Sequence, residues 1–255
     1  MTVSLAARGV TLRFGGVIAL DEVTIEVRAN ELLAIIGANG AGKTSLLNVL
    51  SGFHRPQFGQ VELNGESTRS LRVDQIAARG VARTFQGTHL LTGLTVVENI
   101  LVGRHVHMKS NILQAFCYFP WTAREEIEQR CIAEEIIQFL EMEPIRNEPV
   151  GTLGYGLRKR VDLGRALAQE PRILLMDEPM AGMNAEEKED LARFILDVRE
   201  ARRTPVVLVE HDMGVVMDLV DRVVVLDFGR VIADGTPPEV QRNPDVIRAY
   251  LGQTQ

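Results

Sequence analysis

The spacing of apolar residues changes character twice along this chain. Up to about Gly65 they alternate or run together in short stretches, as strands do, and the stretch over 31–36 leads into a glycine-rich loop and a helix. The segment 60–66 contains Asn64-Gly65, a pair suited to a tight hairpin turn. Over 88–168 the strand pattern gives way to helical spacing. Its clearest example is 123–142, where Ile127, Ile132, Ile136, Ile137 and Leu140 are set among charged residues. From Arg172 onward the spacing predicts strands over 173–176, 206–209 and 222–226, alternating with helices over 185–203 and 213–220. Such alternation implies βαβ units and a parallel sheet. Ligands of parallel sheets sit at the carboxyl ends of the strands, so the loops after Ile36, Met176 and Val209 should converge on one site.

Composition narrows the class. With 255 residues, 45% hydrophobic and 24% charged, the chain can bury a large core and has the balance of a folded protein. Its net charge of -6 argues against a dedicated nucleic-acid binder, which needs a basic face. No run approaches the roughly 20 apolar residues of a membrane span, so any link to a membrane is expected to go through a partner. Cys117 and Cys131 show no metal-ligand spacing and read as reduced packing residues. The stretch 111–121, which holds the single tryptophan, Trp121, reads as core or as a docking surface.

The glycine-rich loop carries the most specific signal. Gly37-Ala38-Asn39-Gly40-Ala41-Gly42-Lys43-Thr44 fits the pattern G-x-x-x-x-G-K-S/T, placed after an apolar strand and opening a helix. Glycines let backbone N–H groups turn around phosphate oxygens, and the helix N-terminus adds positive potential. Lys43 is expected on the β and γ phosphates, Thr44 on Mg²⁺ and Ser45 near the α phosphate. The loop by itself says nucleotide and leaves the kind of machine open.

Two further strand ends carry polar chemistry. In Met176-Asp177-Glu178-Pro179, Asp177 can hold the Mg²⁺ shell and Glu178 can orient or deprotonate an attacking water. In Val209-Glu210-His211, the imidazole can hydrogen-bond a γ phosphate, although a lone histidine there also reads as a helix-start or surface residue.

Taken in order, these motifs resemble the ABC transporter ATPases over nearly the whole chain. The resemblance implies an α/β fold: a P-loop NTPase core with a mixed sheet, an antiparallel β part and a helical subdomain. The expected layout is a single domain over 1–255, with the core in 1–87 and 169–255 and the helical part in 88–168. Gln86, in Val81-Ala82-Arg83-Thr84-Phe85-Gln86, looks like the family's glutamine loop, which would contact the metal or the lytic water and couple the site to transmembrane subunits. Phe14 matches the aromatic that stacks on adenine, with core packing as the other reading. Leu153-Gly154-Tyr155-Gly156-Leu157 stands where the family signature, usually Leu-Ser-Gly-Gly-Gln, caps the ATP of the opposite subunit. Gly154 lacks the hydroxyl and Leu157 the amide, so backbone donors of Gly154, Tyr155 and Gly156 remain. A partner with a full signature would compensate at one of two sites. Asn184 replaces the usual aspartate of the loop after the acidic strand, or else caps a helix with Glu187.

The resemblance further implies ATP and Mg²⁺ as cofactors and integral membrane permease subunits as partners. It also implies a second ATPase subunit, identical or not, indirect work with a solute-binding protein, no nucleic acid, and a peripheral place on the cytoplasmic face of the inner (plasma) membrane. Within the family, 81–86, the insertion before Ala123 and the tail 243–252 are most similar to branched-chain amino acid importers. The tail also resembles the lipopolysaccharide-export ATPase. The alternatives are a non-transport ABC ATPase and an ATP-binding scaffold without turnover.

Overall fold

The structure is a computed structural model that describes residues 3–85, 87, 89–107, 120–211 and 213–251. Residues 1–86 with 172–255 form one compact unit and 87–171 a second. In chain order the first unit opens with β1 (Val3–Phe14), β2 (Val17–Arg28), β3 (Leu32–Gly37), α1 (Lys43–Leu50), β4 (Phe58–Leu63), β5 (Glu66–Ser67), α2 (Val73–Ala78) and β6 (Val81–Arg83). The second unit contributes α3 (Val96–Arg104), α4 (Pro120–Phe139) and α5 (Tyr155–Leu167). The first unit resumes with β7 (Ile173–Asp177), α6 (Ala185–Arg202), β8 (Val206–Val209), α7 (Met213–Leu219), β9 (Arg222–Asp227), β10 (Arg230–Gly235), α8 (Pro237–Gln241) and α9 (Pro244–Leu251).

Two sheets build the first unit. One is antiparallel, in the order β2-β1-β4-β5; the other runs β10-β9-β3-β8-β7-β6. The second sheet is parallel except for β10, which returns antiparallel on β9, so it is mixed. Every residue of β3, β7 and β8 is buried, which is why these strands read as continuous apolar runs rather than alternating ones. The Asn64-Gly65 pair forms the predicted hairpin: Leu63 faces Glu66, and the two turn residues have φ 52 and 82, which L side chains other than asparagine seldom adopt.

The core of this unit fixes the helix that begins at the phosphate loop. Leu46, Leu47 and Leu50 of α1 are fully buried with Leu5, Val10, Leu20 and Ile25 of the antiparallel sheet and Leu33, Ile35, Leu175 and Val207 of the mixed sheet. Each such side chain contributes about 1.5–3 kcal/mol by leaving water, so α1 cannot shift without losing several of them. At the start of β9, the buried Arg222 closes an ion cluster, 2.7 Å from the buried Glu31 and 2.6 Å from the exposed Asp234, and also donates to the Glu26 carbonyl.

The second unit is helical, and among its described residues pairing is confined to one isolated bridge, Thr95 with Pro149. Helix α3 starts at a capping box in which Thr95 accepts from Glu98 N and Glu98 accepts from Thr95 N. A Cβ on Gly103 would meet the Arg165 carbonyl at 2.3 Å, so α3 and α5 pack backbone to backbone. The predicted apolar face of the long helix holds at Ile136 and Ile137, and at Leu140 just beyond it, all fully buried. It fails at Ile127, which is 65% exposed; among the described side chains of this helix, burial starts at Gln129 and Ala133. Cys131 is a free thiol but lies exposed, so the expectation that it packs in a core is corrected; Ala133, two residues on, is buried instead. Cys117 and the insertion over 111–119 lie outside the described residues. Among the described residues no helix is long and apolar enough to cross a membrane.

Candidate nucleotide site

The strand register brings the three predicted loops together. Asp177, the last residue of β7, pairs with Val209, the last of β8; Val209 is also level with Ile35 of β3, two residues before the phosphate loop. Gly37 ends β3 at φ 152, and a Cβ there would meet the Leu226 carbonyl of β9 at 2.2 Å. Gly42 has φ 102, and its Cβ would lie 2.5 Å from the Ala19 carbonyl. The loop therefore needs glycine at both ends, for closeness as well as for backbone rotation. Between them Ala38 is half-buried, Asn39 and Gly40 are exposed, and Ala41 anchors the loop by accepting from Gly229 N at 3.0 Å.

Lys43 and Thr44 begin α1, whose N-cap, Gly42, supplies no side-chain acceptor; the first-turn N–H groups and the dipole are thus offered to an anion. Lys43 is 5% exposed, and its Nζ donates to the carbonyls of Gly37 at 2.8 Å and Ala38 at 2.9 Å. Burial lowers its pKa, opposed by the nearby charges of Glu178 and Asp177. The ammonium thus folds back onto its own loop, a place from which it can turn outward to a phosphate oxygen. Ser45 is half-buried beside it.

The acidic pair splits into two environments. Asp177 is 1% exposed; its Oδ1 accepts from the Thr44 hydroxyl at 3.4 Å, and its Oδ2 accepts from Arg83 Nη2 at 2.8 Å. Glu178, one residue past the strand, is half-buried and sits at φ 46, while its N–H donates to the Val209 carbonyl at 2.9 Å. Positive φ at a glutamate is a strained conformation, held here by that cross-strand bond. His211, one residue past the end of β8's loop residue Glu210, is exposed at its ring, with Nδ1 3.9 Å from Glu210 Oε2.

Three residues here were missed by sequence reading. Glu210 is 1% exposed and accepts from Met180 N at 2.8 Å and His211 N at 3.4 Å, tying the loop after β7 to the loop after β8. Burial raises its pKa, those hydrogen bonds and His211 draw it down, and Glu178 adds a further upward push. Arg83 and Asn48, bonded to each other at 2.6 Å, were given no role of their own. The available signal was a carboxylate in an otherwise apolar strand end for Glu210, and an arginine closing a buried edge strand for Arg83.

Phe14 ends β1 and is 48% exposed, its ring meeting His54 edge-on at 5.2 Å; the core-packing reading is corrected, because β1 has already left the core at this point. Asn184 is a helix cap: its Oδ1 accepts from Glu187 N at 2.9 Å, and its N–H donates back to Glu187 at 3.0 Å. Gln86 lies outside the described residues. In the second unit, Gly154 is the extended N-cap of α5, Tyr155 is 44% exposed with Lys159 Nζ 5.6 Å from its ring, and Gly156 is buried. Arg158 holds the turn before it, donating to the carbonyls of Gly151 at 2.7 Å and Leu153 at 2.9 Å.

The donor set fits a nucleotide-linked divalent cation rather than an independent metal centre. A hydroxyl and a carboxylate oxygen 3.4 Å apart, Thr44 and Asp177, are hard oxygen donors, while no cluster of three or more His, Cys, Asp or Glu among the described residues could hold a metal alone.

A phosphate loop on a mixed sheet with an acidic strand end beside it defines a P-loop nucleotide-binding fold, and the sequence profile of ABC transporters matches residues 20–181, so the chain belongs to the ABC transporter family. A second profile, branched-chain amino acid ATP-binding cassette transporter, matches residues 230–254. The chain is 41% identical over 249 residues to the high-affinity branched-chain amino acid transport ATP-binding protein BraF of Pseudomonas aeruginosa, covering 98% of each chain. It is 37% identical to the corresponding LivG protein of Escherichia coli K12, with the same coverage. Among solved structures it is similar to the ADP conformation of an ATP-binding cassette from an ABC transporter, at a TM-score of 0.86 and 30% identity, over 99% of this chain and 100% of that one.

Proposed function

We propose that this chain is the ATP-hydrolysing, nucleotide-binding subunit of an ABC importer whose cargo is branched-chain amino acids. The observation that carries the reading is the meeting, at the carboxyl ends of neighbouring strands, of the Lys43 loop, the Thr44–Asp177 contact and the Glu178–Val209 bond. The cargo class follows from the names of the relatives and the family tail at 230–254. The tail match favours this over lipopolysaccharide export.

In the proposed mechanism the adenine stacks on Phe14, and the phosphates lie along the N–H groups of 37–45. Lys43 leaves the Gly37 and Ala38 carbonyls for the β and γ phosphate oxygens. Thr44 and Asp177 would hold Mg²⁺, with Gln86 completing its surroundings, and such an ion would neutralise charge on the phosphates. Glu178 positions and deprotonates the attacking water, and His211 donates to the γ phosphate so that Glu210 and the two loops it joins register its presence. Gly154, Tyr155 and Gly156 cap the nucleotide of a second subunit, and closing and opening of that pair drives permease subunits at the cytoplasmic face of the inner membrane. Glu178→Gln is expected to retain ATP binding and to lose about 10²-fold or more in steady-state phosphate release. Turnover at the native rate in that variant refutes the assignment.

A further inference from the structure

Arg83 has no part in the mechanism above, yet it is the charge nearest the residue proposed to hold the metal. It ends the edge strand β6 with its side chain 6% exposed. One fork of the guanidinium donates to Asp177 Oδ2 at 2.8 Å, and the other reaches Asn48 Oδ1 at 2.6 Å and Ser51 Oγ at 3.2 Å on α1 and just past its end. The rings of Phe85 and Phe53 lie 5.2 and 5.9 Å from its central carbon. Its Nε is buried without a hydrogen-bond partner among the described residues, so the group is confined by its forks and the two rings rather than by a full set of bonds. A planar guanidinium gripped on two sides cannot swing away as a lysine would.

That confinement holds Asp177 in place. Arg83 sets a fixed positive charge on Oδ2 of this 1% exposed side chain while Oδ1 stays turned toward Thr44. The same fixed positive charge stands across the carboxylate from any divalent ion that approaches Oδ1. We propose that Arg83 is a positioning residue that stands in for the divalent cation on Asp177: it fixes the carboxylate before the ion arrives and weakens the hold of the site on that ion. The cation is then kept only together with the nucleotide, and leaves readily once the phosphates have gone. The proposal rests on the nucleotide reading of the site.

The test uses the full-length protein and a fluorescent ADP analogue, titrated in EDTA and again in excess Mg²⁺, for the native chain, Arg83→Gln and Arg83→Lys. The readout is the factor by which Mg²⁺ tightens ADP. Removing a fixed charge next to the ion is expected to raise that factor about fivefold in Arg83→Gln, with Arg83→Lys between the two because the charge remains but is no longer held on both sides. Asn48→Asp, which draws the guanidinium's charge onto a second carboxylate without emptying the site, is expected to raise it in the same direction and serves if Arg83→Gln does not fold. A merely structural arginine would shift ADP affinity equally with and without Mg²⁺, and an unchanged or smaller factor in Arg83→Gln and Asn48→Asp overturns the proposal. If the native chain binds the analogue in neither condition, the nucleotide reading itself falls and this inference falls with it.

Discussion

Replacing Glu210 by alanine and by glutamine separates the two things this buried carboxylate does. Its Oε1 satisfies the N–H of Met180, a residue 1% exposed, at 2.8 Å. In Glu210→Ala that N–H is left without an acceptor, at a cost of about 1–3 kcal/mol. At about 2–4 °C per kcal/mol for a chain of this size, the melting temperature should fall by roughly 2–12 °C. Glutamine keeps the acceptor oxygen and removes the charge. Because burial holds the folded-state pKa of Glu210 above the ordinary value of a glutamate, the folded protein binds this proton more tightly than the unfolded chain does. Stability from this group is therefore intact below the ordinary carboxylate pKa and is lost as pH rises through the raised one. Glu210→Gln escapes that loss. Thermal melts by calorimetry between about pH 5 and pH 8 should show the variant gaining on the native chain as pH rises, while Glu210→Ala stays below both. A difference that does not change with pH, or a glutamine variant that falls as far as alanine, refutes the argument from desolvation.

Further outcomes follow from the same geometry. Phe14→Ala removes a half-exposed ring and should weaken ATP binding about three- to tenfold, read by equilibrium titration, with little change in melting temperature. Asn184→Ala removes the side-chain acceptor of Glu187 N while leaving the return bond from its own backbone N–H, and should cost about 1 kcal/mol, whereas Asn184→Asp should hold the native melting temperature. A Cβ on Gly154 meets nothing within 4 Å and the residue's φ is -60, so Gly154→Ser fits without strain. It should strengthen ATP-dependent dimerisation about tenfold by analytical ultracentrifugation in a hydrolysis-deficient background, through the added hydroxyl.

What could be read in the sequence was what is local in it. The phosphate loop is one contiguous stretch whose residue types state their own geometry, and β3, β7 and β8 announce themselves as unbroken apolar runs because both of their faces are covered. The Asn184 cap needed only a partner three residues away. Arg83 and Asp177 are 94 positions apart, and Glu210 and Met180 are 30 apart, so nothing in either neighbourhood named the other. Helical spacing placed Ile127 on the buried face of α4, but periodicity gives the direction of a face and not how far along the helix it stays covered; there the stripe begins lower down. Phe14 was open between core and surface for a similar reason, since the point at which β1 leaves the core depends on its partners and not on its own alternation.

Glu178 at φ 46 has an evolutionary corollary. A left-handed conformation costs an ordinary side chain about 1–2 kcal/mol, which glycine does not suffer and asparagine suffers less. Selection for folding alone would favour either of those at this position, so the proposed role as base gives a reason for glutamate to be kept there. In a lineage released from the need to turn over nucleotide, the first favourable substitution would erase the proposed base and make the protein sturdier in the same step. Decay toward a silent scaffold would then run downhill, and recovery of the enzyme would have to climb back.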